Sequence, residues 1–200
     1  MRNIVLLISG GGSNMAAIVA AAQREDWPAT LAARIAGVIS NRADAGGLKL
    51  AREAGLPTAT IDHRAYATRE DFDSALAQQI TQWDVGSTLP ALVLLAGFMR
   101  IVSPDFVALH KGRLLNIHPS LLPAFPGLNT HQRAMDAGCR FAGATVHEVT
   151  AELDHGPIWG QAVVPVLPGD SADTLAARVL TQEHLLYPRV VKAFLRQPVC

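Results

Sequence analysis

Residues 3–15, NIVLLISGGGSNM, predict the class of the fold. Residues 3–8 form a short and almost wholly apolar run, which is typical of a strand buried on both faces of a parallel sheet. Three glycines end the run, and an alanine-rich segment with high helix propensity follows Ser13 and Asn14. A glycine turn between a strand and a helix N-terminus presents free backbone N–H groups to an anion. Such a turn holds a phosphate group or holds nothing, and the segment alone leaves both possibilities open.

A dinucleotide-binding fingerprint is the competing interpretation of this turn. Gly10 and Gly12 supply its first two glycines, but Met15 occupies the third glycine position. The next predicted strand, residues 35–39, ends in Ser40 and Asn41 and lacks the acidic residue that would bind a ribose hydroxyl. The sequence therefore disfavours a nicotinamide or flavin site.

Strand and helix patterns alternate through the first half of the chain. The predicted strands are residues 3–8, 35–39, 58–61 and 91–96, and the predicted helices are residues 15–25, 44–54, 68–83 and 105–110. After residue 112 we expect a proline-rich loop (119–130), a short helix (130–137), two hairpin strands (141–149 and 158–166) and helices at 171–187 and 188–196. This order predicts an α/β fold with a mostly parallel, doubly wound, Rossmann-like sheet and a C-terminal antiparallel hairpin with helices. We expect residues 1–200 to form one domain, with its two halves meeting near residue 112.

The composition restricts the kind of protein and of partner. The 200 residues carry 17 basic and 17 acidic side chains and no basic run, which disfavours a nucleic-acid groove and favours a small-molecule site. The two cysteines, Cys139 and Cys200, match no disulfide framework and no metal-ligand spacing. The first apolar run is too short for a signal peptide or a membrane span. We expect a soluble, cytoplasmic protein without a metal.

The second notable stretch is LLNIHPSLLP, residues 114–123. Asn116 and His118 stand two residues apart at the end of an apolar run, so in a strand both side chains point to the same face. A carboxamide can donate a hydrogen bond to a developing oxyanion, and an imidazole can carry a proton beside it. The alternative is a buried polar pair satisfied by neighbouring backbone, and this stretch alone does not decide between the two.

The location of these residues favours the chemical interpretation. The glycine turn, the turn at residues 98–102 and the Asn116–His118 turn all follow strands, and parallel sheets bind ligands at the carboxyl ends of their strands. We further expect Asp154, from the predicted loop 150–157, to fold in beside His118, where a carboxylate stabilises a protonated imidazole. Asparagine, histidine and aspartate without a strong nucleophile indicate direct acyl transfer between two bound substrates.

The ordered motifs resemble those of the phosphoribosylglycinamide formyltransferases, the folate-dependent transformylases of purine synthesis. The matching stretches are ISGGGSNM, ISNRADA, LAGFMRIVSP, GRLLNIHPSLLPAFPGLNTH, GATVHEVTAELDHGPI and TQEHLLYP, which span nearly the whole chain. The resemblance implies a Rossmann-like formyltransferase domain with a phosphate-binding first half and a folate-binding, catalytic second half. It implies 10-formyltetrahydrofolate as the donor co-substrate and the amine of 5-phosphoribosylglycinamide as the acceptor.

The resemblance also implies roles for individual residues. His118 would be the catalytic acid/base, Asn116 would bind the formyl oxygen, and Asp154 would support the histidine. The implied ribotide and phosphate contacts are Gly12, Ser13, Asn14, Met15 and Glu183. The implied folate contacts are Arg69, Met99, Arg100, Ile101, Val102 and Asn116. From the residues alone, Glu183 is predicted to lie on a solvent-exposed helix face, so the resemblance reverses that prediction.

Three positions depart from the family pattern, and related activities remain as alternatives. Gly11 stands where many members carry Asn or another polar residue, Asn129 where members often carry His or Asp, and Leu180 where they carry a polar residue near the ribotide. These departures affect peripheral substrate contacts. A formyltetrahydrofolate hydrolase, or a formyltransferase for another amine, would share the Asn-His-Asp set. Methionyl-tRNA formyltransferase carries a further nucleic-acid-binding domain, and the hydrolase a preceding regulatory domain; we expect neither here. A phosphate-binding module with structural Asn116 and His118 is the non-enzymatic alternative. The expected assembly is a monomer or a homodimer.

Overall fold

The computed structural model describes residues 1–197, so Cys200 lies outside the described residues. The strands are β1 (Arg2–Ile8), β2 (Ala33–Ser40), β3 (Thr58–Thr60), β4 (Leu89–Leu95), β5 (Leu114–His118), β6 (Phe141–Glu148) and β7 (Ile158–Pro165). The α-helices are α1 (Ser13–Arg24), α2 (Trp27–Leu31), α3 (Gly46–Glu53), α4 (Arg69–Trp83), α5 (Pro104–Leu109), α6 (Thr130–Asp136) and α7 (Ala172–Leu195). A short 3-10 helix covers His63–Ala65.

The seven strands form one sheet in the order β3-β2-β1-β4-β5-β6-β7. Neighbours from β3 to β5 pair in parallel, whereas β5–β6 and β6–β7 pair antiparallel. The predicted fold class is therefore confirmed. The strand order reverses between β1 and β4, which makes the crevice at their carboxyl ends the expected ligand site.

Strand β1 is buried on both faces, as its apolar run predicted. Ile4, Leu6 and Ile8 belong to the hydrophobic core beneath α1, α3 and α7. Val5 and Leu7 belong to a second core, beneath α4 and α5. Because side chains alternate along a strand, one run of apolar residues supplies both cores.

The structure differs from the sequence prediction in two helices. The short helix α2 was not predicted; Asp26 caps it, and Trp27 at its first position is fully buried. The expected break at Pro188 was wrong, since α7 runs continuously through this proline. Leu186, Tyr187 and Val190 are buried around it, and this tertiary burial outweighs the local cost of a proline inside a helix.

Within residues 1–197, no helix combines the length and the apolar character that crossing a membrane requires.

Candidate active site

Two predicted ligand segments meet at the switch point of the sheet. Ser9, which follows β1, donates its backbone N–H to the carbonyl of Gly97, which follows β4, at 3.0 Å. The Ser9 hydroxyl accepts the backbone N–H of Met99 at 2.8 Å and donates to Asn41 Oδ1 at 2.6 Å. The glycine turn and the segment 99–102 are therefore fixed side by side.

The glycine turn has the backbone geometry of an anion site. Gly12 caps α1 with a φ of 74°, and no side chain caps the first turn of this helix. A Cβ on Gly12 would lie 2.7 Å from the Cα of Gly47, so only glycine fits there. A Cβ on Gly11 would meet nothing within 4 Å, so a side chain at this departing position would point into open space.

Asn14 links this turn to helix α7. Its Nδ2 donates to Glu183 Oε2 at 2.6 Å, and both side chains are buried. Burial raises the pKa of the Glu183 carboxyl, and the hydrogen bond from Asn14 opposes that shift. Asn14 Oδ1 and Nε2 of the neighbouring His184 are buried without a protein partner. Glu183 is therefore not the solvent-face residue that its sequence context alone predicted.

The other sequence-predicted ribotide residues lie around this turn. Ser13 begins α1 and Met15 is fully buried behind it. Leu180, half buried on α7 one turn before Glu183 and His184, offers no polar group where the family pattern has one. Asn129 caps α6 through its backbone at a φ of 55°, without a side-chain capping bond.

The segment 99–102 has an exposed centre and fixed ends. Met99, Arg100 and Ile101 are exposed, while Phe98 and Val102 are buried in the core beneath α4 and α5. Beyond Val102, the backbone N–H of Ser103 donates to Asp73 Oδ2, from α4. Arg69 is exposed on α4 one turn before Asp73, which brings it towards the end of this segment.

Asn116 and His118 point to the same face of β5, as their spacing predicted. Leu115 and Ile117 enter the core on the opposite face. In the antiparallel β5–β6 pair, Asn116 lies directly opposite His147. Asn116 Nδ2 lies 3.2 Å from His147 Nε2.

The contacts of His147 determine its proton position. Its Nδ1 lies 3.0 Å from the carbonyl of Glu148, which can only accept, so Nδ1 carries the hydrogen. Burial lowers the pKa of His147, with a weaker opposing effect from Asp154, so the ring is neutral near pH 7. The Nε2 lone pair therefore accepts one N–H of Asn116, which orients the carboxamide. The 3.7 Å approach of Asp154 Oδ1 to this Nε2 is a proximity and not an ion pair.

The structure places Asp154 beside His118. Asp154 Oδ2 lies 3.4 Å from His118 Nδ1, and both side chains are more than nine-tenths buried. The backbone N–H of Gly127 donates to the same Oδ2 at 2.8 Å. On the other side of the ring, His118 Nε2 lies 3.0 Å from the carbonyl of Phe125, so Nε2 is a donor and Nδ1 is the nitrogen that faces the carboxylate.

The proline-rich loop after His118 is fixed on the C-terminal hairpin. Thr145 of β6 accepts the backbone N–H of Leu122 and donates to the carbonyl of Ser120. Gln161 of β7 donates to the carbonyl of Leu122 at 2.9 Å. Leu122 is only 4% exposed.

Sequence reasoning missed three groups around the candidate catalytic dyad of His118 and Asp154: His147, the carbonyl of Phe125 and the N–H of Gly127. His147 had a detectable signal, because Thr145 and His147 put polar groups at alternate positions of a strand that pairs with β5. The backbone groups had none, since any residue carries them. The described residues contain no group of three or more His, Cys, Asp or Glu side chains arranged to hold a metal ion.

Comparison with known proteins gives consistent matches over nearly the whole chain. A family profile described as formyl transferase matches residues 2–191. Phosphoribosylglycinamide formyltransferase of Escherichia coli (strain K12) is 50% identical over 192 residues, which are 96% of this chain and 86% of that protein. The crystal structure of phosphoribosylglycinamide formyltransferase from Brucella melitensis superposes with a TM-score of 0.88 at 48% identity, covering 100% of this chain and 98% of that one. Glycinamide ribonucleotide transformylase 1 from Symbiobacterium toebii gives a TM-score of 0.90 at 46% identity, covering 98% and 88%.

Proposed function

This chain belongs to the formyl transferase family, and from that premise we propose that it formylates phosphoribosylglycinamide in purine biosynthesis. The donor is 10-formyltetrahydrofolate, which acts as a co-substrate. The products are N-formyl-phosphoribosylglycinamide and tetrahydrofolate. The observation that carries the proposal is the burial of Asp154 against His118, beside Asn116, at the sheet edge that also holds the glycine turn.

The two substrates bind side by side at this edge. The ribotide phosphate occupies the turn of Gly12, Ser13 and Asn14, where the N-terminus of α1 carries partial positive charge. Glu183, which the Asn14 hydrogen bond holds beside this turn, contacts the rest of the ribotide. The folate ring lies against residues 99–102, whose centre is exposed, with Arg69 near the end of that segment. Asn116 and His118, on the neighbouring strand β5, then lie beside the formyl carbon that the amine attacks.

The reaction begins when the neutral amine attacks the formyl carbon to give a tetrahedral intermediate. One N–H of Asn116 remains hydrogen-bonded to His147 Nε2, and the second N–H donates to the formyl oxygen as that oxygen gains negative charge. His118 exchanges its proton at Nδ1, because its Nε2 hydrogen is held by the Phe125 carbonyl. Asp154 stabilises the imidazolium. The carbon–nitrogen bond to the folate then breaks, and the proton lost by the amine goes to the departing folate nitrogen.

The test is a transfer assay with 10-formyltetrahydrofolate, with and without phosphoribosylglycinamide. We expect tetrahydrofolate to form only when the ribotide is present, in equal amount to the formylated ribotide. Formate release without ribotide would indicate hydrolysis. Transfer to a different amine, with none to the ribotide, would refute the acceptor.

The proposal also covers the domain organisation, location and assembly of the protein. We propose that residues 1–200 work as one domain, with a phosphate-binding half at about 1–112 and a folate-binding, catalytic half at about 113–200. We propose a cytoplasmic enzyme that works as a monomer or homodimer without a metal, a membrane or a nucleic acid. Sedimentation and metal analysis of the active protein test these points.

A further inference from the structure

Residues 125–128, called here the dyad loop, hold both members of the proposed acid/base pair through backbone groups. The carbonyl of Phe125 accepts from His118 Nε2 at 3.0 Å. The N–H of Gly127 donates to Asp154 Oδ2 at 2.8 Å. A movement of the dyad loop would therefore displace the imidazole and the carboxylate together.

The side chains of the dyad loop pack little against the rest of the protein and so do little to fix its conformation. Phe125 adopts a φ of 57°, which is unusual for a bulky residue, and Gly127 a φ of 77°. Leu128 is 74% exposed. Phe125 lines a cavity of about 180 Å³, together with Leu121 and Ala134 of α6. A backbone in a sparsely populated conformation beside a cavity needs specific contacts to keep it there.

Arg133 of α6 supplies contacts of this kind. Its Nη1 donates to the carbonyls of Pro126 and Leu128, the latter at 3.2 Å. Its guanidinium carbon lies 5.6 Å from the centre of the Phe125 ring, within the range of a cation–π interaction. One planar guanidinium thus contacts three of the four residues of the dyad loop.

We propose that Arg133 is a positioning residue for catalysis. By fixing the dyad loop, it keeps the Phe125 carbonyl on His118 Nε2 and the Gly127 N–H on Asp154. It touches neither substrate nor reacting atom, and it acts on the tautomer and the orientation of His118. The inference rests on the proposed function, since the dyad is assigned there to formyl transfer.

The main test compares Arg133→Met with the wild-type enzyme in steady-state formyl transfer. Methionine keeps an apolar stem but removes the charge and the fork of donors. We expect kcat to fall by about tenfold to a hundredfold, the size expected when reacting groups are displaced by about 1 Å. KM for both substrates should stay within about twofold, because their binding segments lie elsewhere. Gln132→Ala is the matched control: the Gln132 side chain neighbours Arg133 on α6 but donates to Asp136, away from the dyad loop, and its kcat should be unchanged.

A second measurement reports on the dyad loop without any substrate. In ¹⁵N-labelled protein, the His118 Nε2–H should exchange slowly with solvent in the wild type and in Gln132→Ala. It should exchange faster in Arg133→Met, and Phe125→Leu, which keeps the carbonyl but removes the ring, should change it in the same direction. If Arg133→Met does not fold, Phe125→Leu and Arg133→Lys, which keeps a charge without the fork, take its place in both measurements.

The two measurements separate failure of the positioning role from failure of the proposed function. A wild-type kcat in a folded Arg133→Met enzyme would overturn the positioning role. So would a reduced kcat with an unchanged Nε2–H exchange rate, or a loss of kcat that only follows the loss of folded protein. If the wild type transfers no formyl group while its Nε2–H exchange still depends on Arg133, the proposed function is wrong and the effect on His118 stands.

Discussion

Asn116 owes its orientation to a neighbour on another strand. A free carboxamide could turn either its oxygen or its nitrogen towards a substrate, and only the nitrogen stabilises an oxyanion. His147, held neutral by burial and with its hydrogen on Nδ1, accepts one N–H of Asn116 and so decides which end faces the site. Two residues that face each other in the β5–β6 ladder thus act as one oxyanion donor.

Replacing His147 should weaken transfer without removing a group that touches substrate. In His147→Leu the carboxamide of Asn116 loses its acceptor, and we expect kcat to fall by about tenfold or more. This is less than the roughly 10²–10³ that follows removal of a direct oxyanion donor. His147→Gln restores an acceptor and should recover part of the loss. Equal rates for the leucine and glutamine variants would contradict this role.

At the scale of elements, the turn from β1 to α1 requires glycine at one position and tolerates a side chain at the next. Gly12 has a φ of 74°, and a Cβ on it would lie 2.7 Å from the Cα of Gly47, whereas a Cβ on Gly11 would point into open space. Gly12→Ala should lower the free energy of unfolding by more than the roughly 1–2 kcal/mol of a left-handed conformation, because its Cβ also clashes with the Cα of Gly47, and should weaken ribotide binding. Gly11→Ala is the control and should change stability by less than about 0.5 kcal/mol.

Urea unfolding and ribotide titration of both glycine variants measure these effects. Equal losses in Gly11→Ala and Gly12→Ala would contradict the conformational argument.

Helix α5 ends at a buried histidine that makes stability depend on pH. His110 caps the helix, its Nδ1 lies 2.9 Å from the Phe106 carbonyl, and burial lowers its pKa from 6.5 to about 4. The folded state therefore favours neutral His110, so its contribution is complete above pH 6.5 and is lost as the pH falls towards 4. We expect about 2–3 kcal/mol of acid destabilisation from this group over that range.

His110→Asn keeps a donor for the Phe106 carbonyl but does not titrate there. Its free energy of unfolding should therefore fall less steeply than that of the wild type between pH 7 and pH 4. Parallel pH dependences for the two proteins would show that His110 does not carry this effect.

At the scale of the whole molecule, helix α7 is fixed to the two parallel strands β4 and β5 through Tyr187. Tyr187 is fully buried, and its hydroxyl lies 3.2 Å from the carbonyl of Leu95 on β4 and 3.0 Å from that of Leu115 on β5. Burial also raises the pKa of this phenol well above its usual value, so it stays a donor. Leu95 is the last residue of β4, which leads to residues 99–102, and Leu115 directly precedes Asn116 in β5.

Tyr187→Phe should lower the free energy of unfolding by about 0.5–1.5 kcal/mol, the net worth of a buried hydrogen bond. KM for both substrates should change little, because the apolar body of the side chain still fills its place. Leu185→Ala, at a residue that is 68% exposed on the same helix, is the control for stability. Equal stability of Tyr187→Phe and the wild type would contradict this role for the hydroxyl.

Local patterns in the sequence predicted most of the fold and the chemistry-bearing pair. The apolar run before Ser9 predicted β1, and the two-residue spacing of Asn116 and His118 placed them on one face of β5. Contacts between distant parts of the chain were less accessible. Helix α7 continues through Pro188 because the sheet buries the residues around it, which no local rule contains. The family resemblance implied that Asp154 supports His118, but only the folded loop gives their separation and shows that the Gly127 N–H donates to the same carboxylate oxygen.

The account depends most on Asn116 and His118 acting at the formyl group. The most direct test is the single-turnover rate of formyl transfer from bound 10-formyltetrahydrofolate to saturating phosphoribosylglycinamide, measured for the wild type, Asn116→Ala and His118→Ala. We predict that each variant folds normally and transfers about 10²–10³ more slowly than the wild type. Transfer at the wild-type rate in either folded variant would contradict the assignment of the reaction centre.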